Sequence, residues 1–167
     1  MDPEPSNEQV EAWQQAIEFF REGVRLKEEG DLAGAMQKYR QSLFFFPTAE
    51  AHTFLGLAYA SLHLYNEAIA ECKRAIAVDA DFGNAYNDIG AYLLEQGKPR
   101  EAITWFQQAI LAPRYDQRAY PFFNLGRVYE KLGDWSTALR HYRQALDIQP
   151  DYEDATTAWR ELLARCN

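Results

Sequence analysis

The side chains that most often do chemistry are present in this sequence, but they are scattered. The histidines and cysteines are His52, His63, His141, Cys72 and Cys166. No CxxC or HxxxH spacing joins them, so neither a zinc site nor a disulfide framework is predicted. No motif supplies Ser42 or Ser61 with a histidine or aspartate partner. Carboxylates such as Glu28 and Glu29 fall on predicted helix surfaces, and the sequence has no glycine-rich phosphate loop. We therefore predict no enzymatic activity, no metal and no cofactor.

The composition indicates a folded domain that binds neither nucleic acid nor anionic membranes. Of the 167 residues, 47% are hydrophobic and 14% are aromatic, which is enough to build a core. The net charge of −8 disfavours nucleic acid and anionic lipid as partners. The first residues are acidic and precede no apolar run, and no stretch approaches the ~20 apolar residues of a membrane span. These features predict a cytoplasmic protein.

Glycine and alanine recur along the chain with a fixed offset. Each alanine follows its glycine by 12 residues in the pairs Gly23 and Ala35, Gly56 and Ala68, Gly90 and Ala102, and Gly126 and Ala138. The glycines are 33, 34 and 36 residues apart, a period that indicates an array of helical repeats. Glycine inside a helix costs about 1 kcal/mol relative to alanine, so we expect these residues to permit close helix packing. We call them the frame glycines and frame alanines.

Other positions repeat with the same period. The residue four after each frame alanine is Tyr39, Cys72, Phe106 or Tyr142, and the residue seven after it is Ser42, Ala75, Ala109 or Ala145. Over about residues 16–150 this pattern resembles the tetratricopeptide-repeat (TPR) family. The resemblance implies an all-α, right-handed α-solenoid of four helix pairs and a C-terminal capping helix. The implied organisation is a flexible N-terminus at 1–6 and a single domain at 7–167, with repeats at 16–48, 49–82, 83–118 and 119–150 and a cap at 152–165.

Local signals place the helix ends. The helices are predicted at 7–29, 32–46, 49–63, 65–78, 82–96, 99–112, 116–132, 135–148 and 152–165. Ser6 and Gln9 have the spacing of a capping box, and Asp31 and Asp134 are suited to cap the next helix. The predicted last helix carries Trp159 and Leu162 on one face, which would shield the final repeat from water.

The resemblance implies a groove lined by the first helix, helix A, of every repeat. Its predicted site residues are Phe20, Val24, Phe54, Leu57, Asn84, Asn87, Phe123, Asn124 and Arg127. Side-chain amides can bond both the N–H and the C=O of an extended peptide, whereas apolar pockets supply side-chain anchors. Two alternatives remain open: Phe20 and Val24 pack within the fold or lie beneath Trp13, and the asparagines bond one helix to another.

Two subfamily resemblances refine the expected function. Chaperone-binding TPR proteins grip a terminal carboxylate with Lys and Arg, but the matching positions here include Phe20, Asn84 and Asp88. The stretch 87–90, with a link around 113–115 that is longer by two residues, resembles pilotin-type TPR lipoproteins of type IV pilus assembly. This sequence lacks their signal peptide and lipidated cysteine.

The favoured hypothesis is a cytoplasmic adaptor or chaperone that binds a protein or peptide segment in the groove. The alternative is a structural unit that associates with copies of itself or belongs to a secretion or pilus-biogenesis machine.

Overall fold

The computed structural model describes residues 5–166, and this part of the chain contains nine α-helices and no strand. The helices are α1 Asn7–Glu28, α2 Leu32–Phe45, α3 Ala49–Ser61, α4 Tyr65–Val78, α5 Gly83–Glu95, α6 Pro99–Leu111, α7 Ala119–Lys131, α8 Trp135–Ile148 and α9 Glu153–Cys166. The nine predicted helices are confirmed. Residues 1–4 of the predicted flexible N-terminus lie outside the described residues.

The chain divides into two compact units, Met1–Asp79 and Ala80–Asn167. In unit 1, α1 packs on α2 and α3 packs on α4; in unit 2, α5 packs on α6, α7 on α8, and α9 on α8. A link of three residues joins the two helices of each pair, which makes them antiparallel neighbours.

The predicted caps begin the helices. The Ser6 hydroxyl accepts from the Gln9 backbone N–H while the Gln9 side chain accepts from the Ser6 N–H, at 3.3 and 2.9 Å, so the capping box is confirmed. Asp31 and Asp134 accept from backbone N–H groups in the first turns of α2 and α8.

The links within the pairs contain a left-handed residue. It is Gly30, Gly97 or Gly133 in three of them, but His63 takes this conformation in the second repeat with φ 59°. A side chain is strained there, so His63 marks a local weakness that the sequence analysis did not identify.

The frame glycines face side chains on the second helix of their own pair, at the positions that the repeat pattern pairs with them. A Cβ built on Gly23, Gly90 or Gly126 would lie 2.4–2.6 Å from the ring of Tyr39, Phe106 or Tyr142. All four frame alanines are fully buried. The small residues therefore admit a large side chain from the partner helix, as well as the backbone approach that the pattern predicts.

Each helix pair carries a second contact at a fixed place in its repeat. We call it the side pair: the residue four before the frame glycine and the residue three after the frame alanine. The side pairs are Lys38 Nζ 5.1 Å from the Phe19 ring centre, His52 Nδ1 2.7 Å from Glu71 Oε2, Tyr86 and Trp105 with ring centres 6.2 Å apart, and Phe122 and His141 at 6.5 Å. The position is constant, whereas its chemistry differs in every repeat.

The lengthened link, residues 112–118, is fixed against the start of α5. The Arg114 N–H donates to Asp81 O and the Gly83 N–H donates to Arg114 O, both at 3.0 Å. Tyr115 is buried against Gly83, where a Cβ would lie 2.4 Å from that of Tyr115. The guanidinium of Arg118 donates to the carbonyls of Ile110 and Pro113. These bonds hold the link outside helical geometry, which explains why α7 begins at residue 119 and not at the predicted 116.

The capping helix has the predicted apolar face. Ala155 and Leu162 are fully buried, and Leu162 packs with Ala138 and Tyr142 of α8. Trp159 is partly buried in the same cluster. This face covers the last helix pair, as the sequence predicts.

Candidate functional site

The predicted groove residues of unit 1 lie mainly within an aromatic cluster. The ring centres of Phe20 and Phe54 are 5.0 Å apart, and both rings lie within 6 Å of the buried Tyr39 ring. Val24 packs against the same core, whereas Leu57 is 37% exposed. Phe20, Val24 and Phe54 thus help to hold unit 1 together, in agreement with the packing alternative. Their role in binding stays a prediction.

The predicted polar residues of unit 2 form a connected network. Asn124 Nδ2 donates to Asn87 Oδ1 at 3.1 Å, and both side chains are only 8% exposed. Arg127 Nη1 donates to Asn124 Oδ1 at 3.3 Å, and its Nη2 bonds Glu95 Oε1 at 3.0 Å. Asn84 Nδ2 donates to Gln117 Oε1 at 3.2 Å. The two buried asparagines join α5 to α7, while Asn84 and Arg127 remain more accessible.

The aromatic part of unit 2 lies beside this network. Phe123 is partly buried, with its ring centre 5.7 Å from that of Tyr142 and 5.1 Å from that of Tyr152. The Tyr120 ring packs at a tilt against that of Tyr152, with ring centres 5.3 Å apart, and Tyr120 is 40% exposed. Phe123 supports the rings around it, and Tyr120 offers an open aromatic surface.

Asp88 follows Asn87 on α5 and is not among the predicted site residues. Burial raises the pKa of its carboxyl to about 7, and a hydrogen bond from the Asn87 side chain opposes this rise. The sequence could have identified Asp88 from its place next to Asn87 on helix A.

The arrangement closest to a catalytic site is the side pair of the second repeat. The Glu71 side chain is only 7% exposed. One of its carboxylate oxygens bonds the His52 ring, and the other accepts a hydrogen bond from Arg74. The hydroxyl of Ser61, the last residue of α3, donates to the backbone carbonyl of Leu57 at 3.0 Å. The His52–Glu71 contact fastens α3 to α4. No motif in the sequence predicts Glu71 as the partner of His52, although the constant side-pair offset identifies it.

A charged recess of about 410 Å³ lies between α7 and α9, lined by Arg127, Glu130, Lys131 and Arg165. Glu130 accepts from the Tyr142 hydroxyl at 2.8 Å and from Arg165 at 2.7 Å. This carboxylate offsets part of the surrounding positive charge and ties the capping helix to α7.

Among the residues that the structure describes, no group of three or more His, Cys, Asp and Glu side chains could hold a metal ion. None of the helices in this part of the chain is both long and apolar enough to cross a membrane. The predicted cytoplasmic location stays a prediction.

Comparison with known proteins identifies helical-repeat relatives. Family models described as tetratricopeptide repeat match residues 81–151 and 49–82. The type IV pilus assembly protein PilF of Pseudomonas aeruginosa is 23% identical over 146 residues, which are 87% of this chain and 58% of PilF. The small glutamine-rich tetratricopeptide repeat-containing protein 2 of Saccharomyces cerevisiae is 26% identical over 96 residues, 57% of this chain and 28% of that protein.

Solved structures show the same fold. The structure of P. aeruginosa PilF superposes with a TM-score of 0.84 over 94% of this chain and 70% of that chain. A crystal structure of MamA superposes with a TM-score of 0.72 at 25% identity over 89% and 81% of the respective chains. This chain spans 28% and 58% of the lengths of the two curated relatives described above.

Proposed function

Because this chain belongs to the tetratricopeptide-repeat family, we propose that it is a non-enzymatic scaffold that binds a segment of a partner protein. The proposed binding surface is the helix-A face of its repeats. In unit 2 this face consists of Asn84, Asn87, Asp88, Tyr120, Asn124 and Arg127. The segment is extended or helical, and the role is that of an adaptor or chaperone in the cytoplasm.

The polar network between α5 and α7 carries this proposal. A single hydrogen bond joins the two asparagines, in which the Asn124 side chain donates to that of Asn87. This bond fixes the surface before any partner binds. Asn84 and Arg127 keep donors near solvent, since their hydrogen-bond partners, Gln117 and Glu95, are themselves exposed or half-exposed. A surface of fixed donors beside an open Tyr120 ring suits the backbone and side chains of a protein segment.

A capture experiment with matched arginine variants tests the proposal. The wild-type chain, Arg127→Ala and Arg143→Ala are compared as bait in lysate of the native cell, and bound proteins are quantified by mass spectrometry. Arg143 is the control because it is also exposed and also forms a surface ion pair, with Asp147. We expect a defined protein to be lost with Arg127→Ala and retained with Arg143→Ala. The same bound proteins with all three baits would refute binding at this face.

A structural role in an assembly is a second candidate function. The similarity to PilF over 87% of this chain supports it, because that relative is named for type IV pilus assembly. A second support is the apolar end of α2, where Phe44 is 84% exposed and its ring contacts Phe45. Sedimentation over a range of concentrations tests for self-association. A wild-type chain that associates and a Phe44→Ser variant that stays monomeric would support this role, whereas a wild-type monomer throughout would contradict self-assembly.

A further inference from the structure

The charged recess between α7 and α9 is richer in positive than in negative side chains. Among the described residues, its wall contains the cations Arg127, Lys131 and Arg165 and the carboxylate of Glu130. Both oxygens of that carboxylate already accept hydrogen bonds, one from the Tyr142 hydroxyl at 2.8 Å and the other from Arg165 at 2.7 Å. Glu130 is therefore engaged by α8 and α9, and the charges of the two α7 cations are left for other partners.

The two arginines of the recess are held in place and keep further donors. Arg127 donates through Nη1 to Asn124 and through Nη2 to Glu95. Besides its ion pair, Arg165 has its guanidinium carbon 5.1 Å from the centre of the Trp135 ring. A guanidinium group has five N–H donors, so these bonds leave donors on both side chains. Both side chains also reach solvent, and a ligand can therefore bind them without rearrangement of the fold.

Lys131 is the most open cation of the recess. Its side chain is exposed and, within the described part of the chain, it forms no ion pair. It lies in the last turn of α7, where a lysine can bond the carbonyls that a helix end leaves without partners. Here the N–H groups of residues 132–134 already donate to the carbonyls of residues 128–130. The backbone thus does most of the capping, and the ammonium group of Lys131 stays available to a ligand.

The two α7 cations occur together only in the fourth repeat of the sequence. They are the residues one and five after the frame glycine, positions that hold Val24 and Glu28, Leu57 and Ser61, and Ala91 and Glu95 in the first three repeats. Like charges one turn apart on a helix repel each other, so a carboxylate bound beside both of them is attracted by each. The fourth repeat therefore differs from the others in the charge that it presents.

The acidity of the whole chain does not prevent an acidic ligand from binding in this recess. The net charge is −8, but at physiological salt exposed charges more than about 8 Å apart are largely screened. The groups that a ligand touches therefore dominate. Three cations less the two carboxylates that pair with them, Glu130 and Glu95, leave one positive charge. One carboxylate from a partner would balance it.

We propose that the recess receives the side-chain carboxylate of a glutamate or aspartate in the partner segment, bound by Lys131 together with Arg127 and Arg165. The proposal rests on the proposed function, because it names the residue type that the fourth repeat selects in that segment. The recess consists of the end of α7 and the capping helix, so it does not use the positions that match the terminal-carboxylate grip of chaperone-binding TPR proteins. The ligand is a side chain within a segment.

The experiment uses two short capped peptides and the whole chain labelled with ¹⁵N. The probes are Ac-Ala-Glu-Ala-NH₂ and Ac-Ala-Gln-Ala-NH₂, which differ in charge but hardly in shape. We expect the glutamate peptide at millimolar concentration to shift the amide resonances of Arg127, Lys131 and Arg165, and the glutamine peptide to bind about fivefold more weakly. Raising the NaCl concentration from about 0.05 M to about 0.5 M should remove most of that difference. Equal responses to the two peptides at low salt, or no response at these residues, would overturn the proposal.

Two variants locate the effect. Lys131→Gln removes the ammonium group and keeps most of the side-chain length, so the affinity for the glutamate peptide should fall by about fivefold. Lys73→Gln is the matched control, because it removes an equal charge from an exposed residue of α4 in unit 1 and should leave the affinity unchanged. Circular dichroism checks that both variants are folded. A folded Lys131→Gln chain that binds the glutamate peptide as tightly as the wild type would refute the assignment.

The outcome is separable from that of the proposed function. A captured partner that depends on Arg127 but binds Lys131→Gln normally, with equal binding of the two peptides, would leave the scaffold role standing and reject the carboxylate site. Selective binding of the glutamate peptide at Lys131, with no partner that depends on Arg127, would support the carboxylate site and reject the wider face.

Discussion

The frame glycines allow the packing argument to be tested at Gly126. In a Gly126→Ala variant the new Cβ would lie 2.4 Å from two carbons of the Tyr142 ring. Real Cβ atoms essentially never come closer than 3.0 Å to such an atom. The ring cannot easily withdraw, because Tyr142 is buried, packs against the Phe123 ring and donates its hydroxyl to Glu130 at 2.8 Å. Overpacking costs about 1–3 kcal/mol, while alanine gains about 1 kcal/mol of helix propensity. We expect a net loss of up to about 2 kcal/mol in the free energy of unfolding.

Gly56→Ala is the matched control. In the second repeat the tyrosine position holds Cys72, and the nearest atoms to the new Cβ are Ala68 O at 3.1 Å and Cys72 Sγ at 3.3 Å. A shift of a few tenths of an ångström relieves these contacts, so the helix-propensity gain should offset them. The expected change lies within about 1 kcal/mol of the wild type.

The assay is urea denaturation followed by circular dichroism, with the slopes compared to show that cooperativity is retained. The reasoning predicts that Gly126→Ala unfolds at lower urea than the wild type and that Gly56→Ala does not. Equal stability of the two variants would show that an aromatic ring packed against a frame glycine does not decide whether alanine is tolerated at that glycine.

Four further predictions test separate parts of the structure. We expect His63→Gly to stabilise the chain by about 1 kcal/mol, because it relieves a left-handed side chain, as thermal melting would show. Phe20→Ala should cost about 2 kcal/mol or more and Leu57→Ala less than about 1 kcal/mol in urea unfolding, since only Phe20 lies in the aromatic cluster. Leu162→Ala should cost about 2–4 kcal/mol in the same assay, because this side chain of the capping helix is fully buried against α8. Burial raises the folded pKa of Asp88 from the usual 3.8 to about 7, so stability falls as pH rises between these values. Asp88→Asn should therefore raise the melting temperature above about pH 8 and leave it nearly unchanged near pH 4.

The sequence predicts the helices well because their signals are local. Frame residues, caps such as Ser6 and Asp134, and left-handed glycines each fix one end or one face of a helix. The error at α7 has the opposite origin. Its start depends on bonds from residues 114 and 118 to distant backbone atoms, which no local pattern reveals.

The candidate site is harder to predict than the fold. The repeat pattern places Asn87 and Asn124 on helix A, but their rotamers decide whether the amides face a partner or each other. The role of Phe20 is equally hard to predict, because a residue at a groove position of helix A can also contact a core ring, as Phe20 contacts Tyr39. The side pairs are a different case: once the frame is known, a constant offset locates His52 opposite Glu71 directly from the sequence.

The side pairs also bear on how such a chain can change by recombination. A crossover between the helices of the first and second repeats would join Phe19 to Glu71, or His52 to Lys38, and would replace an attractive contact by one without matched chemistry. A crossover at the boundary between repeats would carry both members of each pair together. The smallest segment that can be exchanged without loss is therefore a whole repeat that begins with helix A.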